Sequence, residues 1–387
     1  MPETKYTEKP TKNRTKSILP IFSYVFFSIY TIFAIILSVI LIKVPILPLK
    51  YFLPIIILLT ILDILFIFFL SRKSTKIATS LTCIIFEIIF TVLIGFALFY
   101  LGTTISFFNS IKPQTPIDLP EKTDFDITKD SFNFYISGID TYGEITTVSR
   151  SDVNIVVTVN PRTHTILLTT VPRDYEVKLH GTTGLNDKLT HAGLYGIEMS
   201  IKTIEDLLNI DINYYLRINF DSTIKLIDAL GGVEITPDAT FYKPKYNCYF
   251  KAGVTMHLDG GCALTYARER KTYYYGDLHR IENQQDILSA VIEKLTTSKT
   301  ILTNYVNVLA SLSDSIETNI PSDQFYRLIN MQLDSMPSWT IERNAVEGTE
   351  VHIPTYTYPD RDLFVFEQNP ESIKEASIKI DEVLAAE

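Results

Sequence analysis

The chain has 387 residues, of which 46% are hydrophobic, so it is too long for one small domain and long enough for a membrane anchor plus a domain of roughly 250 residues. Its formal net charge of -9 excludes a general electrostatic attraction to nucleic acid, and no nucleic-acid partner is expected. Any phosphate-binding function must therefore come from local clusters of arginine.

Three apolar stretches begin the chain, at residues 17–43, 51–70 and 77–102. Each is about long enough to cross a bilayer as a helix. The first is too long for the core of a signal peptide and shows no cleavage site of small residues, which predicts that it is retained. The sequence thus predicts a three-span membrane anchor over residues 17–103, with a membrane hairpin plus one buried helix as the alternative.

Basic residues at the margins of these stretches predict the orientation of the anchor. Five lie in the N-terminal tail, residues 1–16, and three follow the second stretch, whereas the first loop has few. Because positively charged segments stay in the cytoplasm, the tail and the second loop are expected inside the cell. The prediction is a multi-pass protein of the plasma membrane whose C-terminal domain, after about residue 104, is extracellular.

Two acids lie inside the apolar stretches, Asp63 in the second and Glu87 in the third. Acids within a membrane need partners, and these two sit at similar depth. We therefore expect a hydrogen bond shared between the two spans; a role with protons or lipid headgroups is the alternative.

The cysteines divide between the two parts of the chain. Cys83 lies in the third apolar stretch and is expected to be a packing residue. Cys248 and Cys262 lie outside the membrane, where they form either a disulfide or two separate buried thiols.

The remaining chain divides into a linker and one domain. Residues 104–130 are polar and rich in proline, which predicts the linker. Residues 131–387 alternate between apolar runs and helical patterns, with helices predicted at 196–209, 221–230, 281–297 and 371–386, and strands at 132–139, 153–159, 166–171, 233–236 and 362–366. This mixture predicts an α/β fold with a mixed central sheet flanked by helices, because its opening strands form a hairpin.

Acids and arginines mark the ends of the first three predicted strands. Asp140 follows the first strand, Arg150-Ser151-Asp152 begins the second, and Arg173-Asp174 ends the third. If the second and third strands pair through a turn at residues 160–163, antiparallel pairing brings Asp140, Asp152 and Arg173 to one edge. Carboxylates beside guanidinium groups at such an edge indicate a metal-bridged phosphate.

A second group of cations follows later in the chain. Residues 264–270, if extended, place Tyr266, Arg268 and Arg270 on one side, where two guanidinium groups form a clamp for a multiply charged anion. A solvated ion pair with Glu269 is the alternative.

The helix predicted at 281–297 adds polar residues on its buried face. Arg280, Gln284 and Leu288 recur at helical spacing, so the two polar side chains need partners among apolar residues. A bound ligand is one such partner, and structural hydrogen bonds are the alternative. Glu282 and Asp286 are expected to point away from this face.

Several common catalytic motifs are missing from the sequence. It contains no Gly-rich P-loop, no Gly-x-Ser-x-Gly elbow and no His-Glu-x-x-His zinc motif, so nucleotide hydrolysis is not expected. Among the histidines, His279 alone lies within a motif, and we interpret it as a loop residue in preference to a catalytic base.

Taken in order, the motifs resemble the LytR-CpsA-Psr family. The resemblance covers about residues 130–300 and rests on Gly138-Ile139-Asp140, Arg150-Ser151-Asp152, Pro172-Arg173-Asp174, Lys188, Gly231-Gly232, Leu258-Asp259-Gly260, Arg268-x-Arg270 and Asp277-x-x-Arg280. The three-span anchor and Asn283-Gln284 resemble the capsule-linked CpsA branch of that family. That branch can carry an extra domain after the anchor, for which residues 104–130 leave little room.

The resemblance implies a phosphotransferase that moves a glycopolymer, capsular polysaccharide in this branch, from a polyprenyl-pyrophosphate carrier to peptidoglycan in a Gram-positive bacterium. Asp140 and Asp152 would hold Mg²⁺ or Mn²⁺ on the pyrophosphate, and Asp152 or Asp174 would accept a proton from the incoming sugar hydroxyl. The residues that bind phosphate would be Arg150, Arg173, Lys188, Arg268, Arg270, Arg280 and Gln284. The expected partners are the lipid-linked glycan, peptidoglycan, the membrane and, additionally, capsule-assembly proteins.

Two other functions fit the same motifs. A non-catalytic protein that binds polyprenyl phosphate and organises capsule assembly would keep the arginines without needing both carboxylates. A lipid pyrophosphatase would use the same site with water as the acceptor. The presence of both carboxylates favours catalysis but does not identify the acceptor.

Overall fold

The computed structural model describes residues 15–71, 77–113, 125–274, 276–297 and 315–387, together with residues 117, 119, 309, 312 and 313. The chain divides into two compact units, Met1–Gly102 and Thr103–Glu387. Nearly all of the predicted tail at residues 1–16, and the basic residues after the second apolar stretch, lie outside the described residues.

The N-terminal unit is helical and contains α1 (Thr15–Lys43), α2 (Leu49–Ser71) and the part of α3 (Ile77–Ser110) that precedes residue 103. Each contains a segment long and apolar enough to cross a membrane. The helix α3 ends at Ser110 rather than near residue 102, so residues 104–110, predicted as linker, are helical.

The predicted hydrogen bond between Asp63 and Glu87 is wrong. Asp63 accepts a hydrogen bond from the Thr31 hydroxyl on α1, at 2.8 Å. Glu87 is buried, and neither of its carboxylate oxygens has a hydrogen-bond partner within the described segments. Similar depth along two helices therefore did not place the two acids on facing sides.

The C-terminal unit contains the strands and the remaining helices. The strands are β1 (Phe132–Ile139), β2 (Ser151–Asn160), β3 (Thr165–Thr170), β4 (Glu176–Val177), β5 (Asp187–Lys188), β6 (Tyr214–Ile218), β7 (Val233–Ile235), β8 (Phe241–Lys243), β9 (Cys248–Phe250), β10 (Met256–Leu258), β11 (Ile316–Thr318), β12 (Thr340–Ala345), β13 (Gly348–Pro354) and β14 (Asp362–Gln368). The helices are α4 (Leu189–Ala192), α5 (Ile197–Leu208), α6 (Phe220–Ala229), α7 (Gly260–Ala267), α8 (Gly276–Thr297), α9 (Ser322–Ser335) and α10 (Pro370–Ala385).

Six of these strands form the central sheet, in the order β11-β6-β1-β2-β3-β12. The strands β1, β2 and β3 are antiparallel neighbours, whereas β6 and β12 add in parallel to β1 and β3. The predicted hairpin forms, and the Asn160 side chain closes its turn by accepting hydrogen bonds from the backbone N–H groups of Arg162 and Thr163. The prediction of a mixed sheet flanked by helices is confirmed.

Alternation along the strands gives this sheet two buried faces. Tyr135, Val156 and Leu167 pack with apolar residues of α5 and α10 on one face. The intervening residues, among them Ile136 and Ile155, face α8 on the other. Because side chains alternate with a period of two, a register slip of one residue would exchange the two faces, so burial on both sides fixes the register.

The predicted helices are confirmed by α5, α6, α8 and α10, but the extended segment at 264–270 is wrong. The helix α7 occupies most of it, and the Asp259 side chain caps the helix by accepting from the N–H of Cys262. Gly260 permits the close approach of α6, since a Cβ there would lie 2.2 Å from the Ile224 carbonyl oxygen.

Cys248 and Cys262 form a disulfide, which decides between the two alternatives. The bridge joins β9 to the first turn of α7. It therefore ties the β8–β9 hairpin to the helix that leads into Arg268.

Candidate functional site

A cavity of about 540 Å³ lies between one face of the central sheet and the helices α6 and α8. Its wall is largely apolar. The strands contribute Phe134, Ile136, Ile155, Val157, Ile166, Leu216 and Ile218, and α8 contributes Leu288, Val291, Ile292 and Leu295. The cavity can therefore take a long apolar group without leaving polar atoms buried and unpaired.

Polar side chains also line this cavity. They are Asp152, Arg173, Arg268, Arg270, Arg280 and Gln284, together with Asn219, Ser222 and Thr223 at the start of α6. Four guanidinium groups around one cavity face a single carboxylate, so the lining carries a surplus of positive charge. Such a surplus indicates an anionic ligand.

Asp152 reaches the cavity because β2 carries an irregularity opposite β1. Gly138 pairs with Val153, but Ile139 pairs with Ser151, so Asp152 is left out of the register. An extra residue of this kind bends the strand and redirects a side chain. Gly138 accommodates the bend, since a Cβ there would lie 2.8 Å from the Cβ of Val153.

A row of alternating charges leads from Asp152 into the protein. Both carboxylate oxygens of Asp152 accept hydrogen bonds from Arg173 Nη1, at 3.0 Å. Arg173 Nε donates to Asp174 at 3.0 Å, and Lys188 Nζ donates to the other oxygen of Asp174 at 2.8 Å. Arg173 is thus held on two sides by carboxylates.

The electrostatics of this row limit what Asp174 can do. Burial acts to raise its pKa, but hydrogen bonds and charge from Lys188 and Arg173 prevail and lower the pKa of Asp174 below its ordinary value. Both carboxylates accept hydrogen bonds from cations, but Asp152 lines the cavity and Asp174 does not. Of the two candidate proton acceptors, Asp152 is therefore the better placed, and Asp174 positions Arg173.

Arg280 is the most constrained cation of the site. Its side chain is 9% exposed, and its Nε has no acceptor among the described residues. Burial, and then the neighbouring charge of Arg173, lower the pKa of Arg280 to about 10. One oxygen of Asp277 is shared between Arg280 Nη1 at 3.4 Å and Arg270 Nη1 at 3.2 Å. A buried guanidinium with an unused donor is a site prepared for an anion.

Arg268 and Arg270 line the cavity although the segment that carries them is not extended. Both follow the end of α7 and are exposed. The Arg268 guanidinium lies over the ring of Phe220, 4.1 Å from its centroid. Tyr266, predicted on the same side, is instead buried, and its hydroxyl donates to Asp286.

Other predicted residues lie outside the cavity lining. Arg150 is exposed and lies apart from it, and Lys188 lies behind Arg173 and Asp174. Asp140 is exposed beyond the end of β1 and accepts a hydrogen bond from the Ser149 hydroxyl at 2.9 Å. Glu282, predicted to point away, is exposed and pairs with His279.

Asn219 and Phe220 also line the cavity, although neither was predicted from the sequence. Asn219 caps α6 together with Ser222 in a reciprocal pair of hydrogen bonds. An asparagine followed three residues later by a serine, ahead of a helical pattern, is the signal that would have indicated this cap.

Asp140 and Asp152 are the two carboxylates predicted from the sequence as ligands of a divalent cation. Mg²⁺ usually takes one or two carboxylates together with phosphate oxygens of its substrate. Asp152 lines the cavity, and Asp140 keeps an oxygen for which the described structure gives no hydrogen-bond partner. The donor set therefore fits a hard cation such as Mg²⁺ or Mn²⁺.

Residues 102–374 match the LytR_cpsA_psr family. Among curated proteins, the chain is 36% identical over 220 residues to the polyisoprenyl-teichoic acid–peptidoglycan teichoic acid transferase TagU of Halalkalibacterium halodurans, covering 55% of this chain and 71% of the relative. It is 33% identical over 225 residues to the TagU of Enterococcus faecalis, covering 57% of this chain and 71% of the relative.

Solved structures show the same similarity. The crystal structure of Bacillus subtilis TagV matches with a TM-score of 0.56 and 29% identity, covering 67% of this chain and 99% of that one. A structure of TagT bound to LI-WTA matches with a TM-score of 0.54 and 25% identity, covering 70% of this chain and 100% of that one.

Proposed function

Because the chain belongs to the LytR-CpsA-Psr family, we propose that it transfers a wall glycopolymer from a polyprenyl-pyrophosphate carrier to peptidoglycan. One observation carries this proposal: a single cavity joins a long apolar wall to four arginines and a carboxylate. A polyprenyl pyrophosphate has the same two halves, an apolar chain and a multiply charged head.

The apolar part of the cavity supports the lipid half of this ligand. Its wall is built from side chains of the sheet and of α8 that would otherwise pack against each other. A prenyl chain that fills this space replaces water with apolar contacts, at about 0.8 kcal/mol for each buried methylene. A head without its prenyl chain would forgo this stabilisation.

The arginines support the pyrophosphate half. Arg280 has an unused donor, and its lowered pKa reports a positive charge that an anion would stabilise. Arg268 and Arg270 add guanidinium groups whose planar forks suit phosphate oxygens. Phosphoryl transfer depends mainly on such charge neutralisation and alignment.

In the proposed transfer step, one oxygen–phosphorus bond forms and another breaks. The acceptor hydroxyl oxygen attacks the phosphorus nearer the sugar and loses its proton to the Asp152 carboxylate. The bond from that phosphorus to the bridging oxygen breaks, and polyprenyl monophosphate leaves. The products are a phosphodiester between glycopolymer and acceptor, and the lipid monophosphate.

A divalent cation is part of the proposal. Asp140 and Asp152 would hold Mg²⁺ or Mn²⁺, which supplies positive charge to the pyrophosphate oxygens. Asp152 would then have to divide its oxygens between the cation and Arg173, which now occupies both of them.

The proposal also specifies the polymer that is transferred and the side of the membrane on which the C-terminal unit lies. The names of the relatives specify teichoic acid, whereas the resemblance to the capsule-linked branch favours capsular polysaccharide. We propose capsular polysaccharide as the cargo and an extracellular C-terminal unit. Analysis of the polymers lost from the wall of a deletion strain, and protease treatment of intact protoplasts, test these two points.

The decisive experiment measures transfer by the purified full-length protein in detergent, with a labelled C55 lipid-linked glycan and peptidoglycan. Leu288→Trp should fill the cavity and lower activity at least tenfold with the C55 lipid, but much less with a C10 lipid. Leu278→Trp is the matched control, since Leu278 lies on the same helix, is exposed and is outside the cavity lining. Equal loss with both lipids would contradict the proposed lipid site.

The products distinguish the alternatives. Release of the labelled glycan phosphate into solution, with none on peptidoglycan, would identify a lipid pyrophosphatase. Tight binding of the lipid without turnover, under conditions in which a relative is active, would identify a non-catalytic binding protein.

A further inference from the structure

A group of three aromatic rings and one lysine, of which Phe220 and Tyr246 are half-buried and Tyr142 and Lys245 are exposed, extends from the cavity lining to the protein surface. It consists of Phe220, Tyr142, Lys245 and Tyr246, and we call it the aromatic ledge. The rings of Phe220 and Tyr142 meet edge to face, with centroids 5.2 Å apart. Lys245 Nζ lies 5.5 Å from the centroid of Tyr142 and 4.9 Å from that of Tyr246.

The aromatic ledge is continuous with the cavity. Phe220 and Arg268 both line the cavity, and the Arg268 guanidinium lies over the Phe220 ring. From there the ledge leads outward to Tyr142, which is 50% exposed, and to the exposed Lys245. A group attached to an anion at Arg268 would leave the cavity along these side chains.

Hydrogen bonds hold the loop of Tyr142 in place. The Gly143 N–H donates to Asp221, the Asn219 amide donates to the Gly143 carbonyl, and the Phe220 N–H donates to the Thr141 carbonyl. Gly143 has a φ of +91°, which side-chain-bearing residues rarely adopt. The loop is thus anchored to the first turn of α6 on both sides of Tyr142.

The other end of the ledge is fixed as well. Tyr246 packs against Gly261 of α7, where a Cβ would lie 3.0 Å from the Tyr246 ring. The disulfide between Cys248 and Cys262 joins the same two segments. A preorganised surface loses little conformational freedom when a ligand binds.

The charge on the ledge is uncompensated. Lys245 Nζ donates to the Tyr142 hydroxyl at 3.2 Å, and within the described segments it forms no ion pair with a carboxylate. Aromatic rings flanked by an ammonium group suit a pyranose ring, whose C–H face packs on an aromatic face and whose hydroxyls bond to phenol and amine groups. An anionic substituent on the sugar would supply the missing partner of Lys245.

We propose that the aromatic ledge binds the sugars next to the pyrophosphate of the lipid-linked donor and favours sugars that carry a carboxylate or a phosphate. This inference rests on the proposed function, because it assumes that the pyrophosphate lies at Arg268. It adds a glycan subsite to that function and assigns Tyr142 to stacking and Lys245 to the anionic substituent.

The test uses the full-length protein in detergent and four C55 prenyl pyrophosphates. One is bare, and the others carry N-acetylglucosamine, glucuronic acid or N-acetylglucosamine 6-phosphate. Tyr142→Leu should weaken binding of all three sugar-bearing lipids by roughly tenfold and leave the bare lipid unchanged. Lys245→Met should weaken only the two anionic donors, and the difference between them separates carboxylate from phosphate recognition.

Matched controls lie on or next to the β8–β9 hairpin, which carries Lys245 and Tyr246. Tyr249→Leu and Lys251→Met remove an exposed ring and an exposed charge that are not part of the ledge, and they should change no affinity. Folding of every variant is checked independently, by its circular-dichroism spectrum and its denaturant midpoint.

Two results would overturn the inference. Tyr142→Leu and Lys245→Met could bind all sugar-bearing lipids like the wild type, or could lose affinity for the bare lipid to the same extent as for the sugar-bearing lipids. Failure of the wild-type protein to bind the bare lipid would be a different outcome, because it would remove the proposed function itself.

Discussion

Arg280→Met should make the protein more stable while it weakens binding of a prenyl pyrophosphate. The guanidinium is 9% exposed, and burial lowers its pKa from the ordinary value of an arginine to about 10. A lowered pKa of a base means that the folded protein holds the charged form less favourably than the unfolded chain does. At about 1.4 kcal/mol for each factor of ten in proton affinity, this corresponds to roughly 3 kcal/mol of destabilisation at neutral pH.

Methionine removes the charge and keeps an unbranched side chain that suits the apolar wall. The variant loses the contact between Arg280 and Asp277, but Asp277 keeps Arg270 as a partner at 3.2 Å. Allowing about 1 kcal/mol for that contact and for imperfect packing, we expect a net gain of about 1–2 kcal/mol in the free energy of unfolding. Binding of a prenyl pyrophosphate should weaken about 10- to 150-fold, the cost of a charged hydrogen bond of roughly 1.5–3 kcal/mol.

The measurements are denaturant unfolding without ligand and equilibrium binding of bare C55 prenyl pyrophosphate. Arg343→Met is the control, since Arg343 pairs with Asp286 on the same helix but lies outside the cavity lining. It should lower stability by at most about 1 kcal/mol and leave binding unchanged. Two results would contradict this prediction: an Arg280→Met variant that is less stable than Arg343→Met, or an Arg280→Met variant that binds the lipid like the wild type.

Three further outcomes follow from the site and its surroundings. The pKa of Asp174 is lower in the folded protein than in the unfolded chain, so the ionised carboxylate stabilises the fold. This stabilisation is complete above the unfolded pKa of about 4 and is lost as the pH falls toward the folded pKa. The denaturant midpoint of Asp174→Asn should therefore depend less on pH between 5 and 3 than that of the wild type. In EDTA, Asp152→Asn should bind the bare lipid at least as well as the wild type does, and addition of Mg²⁺ should not raise its affinity. Its turnover should fall about 100-fold or more. A normal response to Mg²⁺ would exclude Asp152 as a ligand of the cation. Replacing both Cys248 and Cys262 by alanine should lower the free energy of unfolding by about 3 kcal/mol, because the bridge closes a loop with a sequence separation of 14, and an unchanged midpoint would contradict this.

The parts of the fold that depend on local pattern were predictable from the sequence. The hairpin of β2 and β3 follows from two apolar runs around a turn of Asn160 and Pro161, and this pairing is sufficient to place Asp152 near Arg173. The helix α8 follows from its apolar spacing, which also gave the correct position of Arg280 and Gln284 on the cavity wall.

The parts that depend on tertiary contacts were not predictable. Period-two alternation suggested an extended segment before Arg268, but Asp259 caps a helix there, and Gly260 lets that helix approach α6 closely. The parallel addition of β12 to β3 joins segments far apart in the chain and leaves no local signal. Arg150 fitted the motif, yet the fold leaves it exposed and outside the cavity lining.

The charges of the site explain why a cation and an anion would bind there together. The row from Lys188 through Asp174 and Arg173 alternates in sign and ends with the carboxylate of Asp152 at the cavity. A positive group beyond Asp152 would extend this alternation, whereas Arg280, on the same wall, shares its carboxylate partner Asp277 with Arg270 and has an Nε donor without an acceptor among the described residues. A pyrophosphate alone would satisfy Arg280 and be repelled by Asp152, and a cation alone would do the reverse. The proposed divalent cation on a pyrophosphate would satisfy both, and would connect Asp152 to the arginines that line the same cavity.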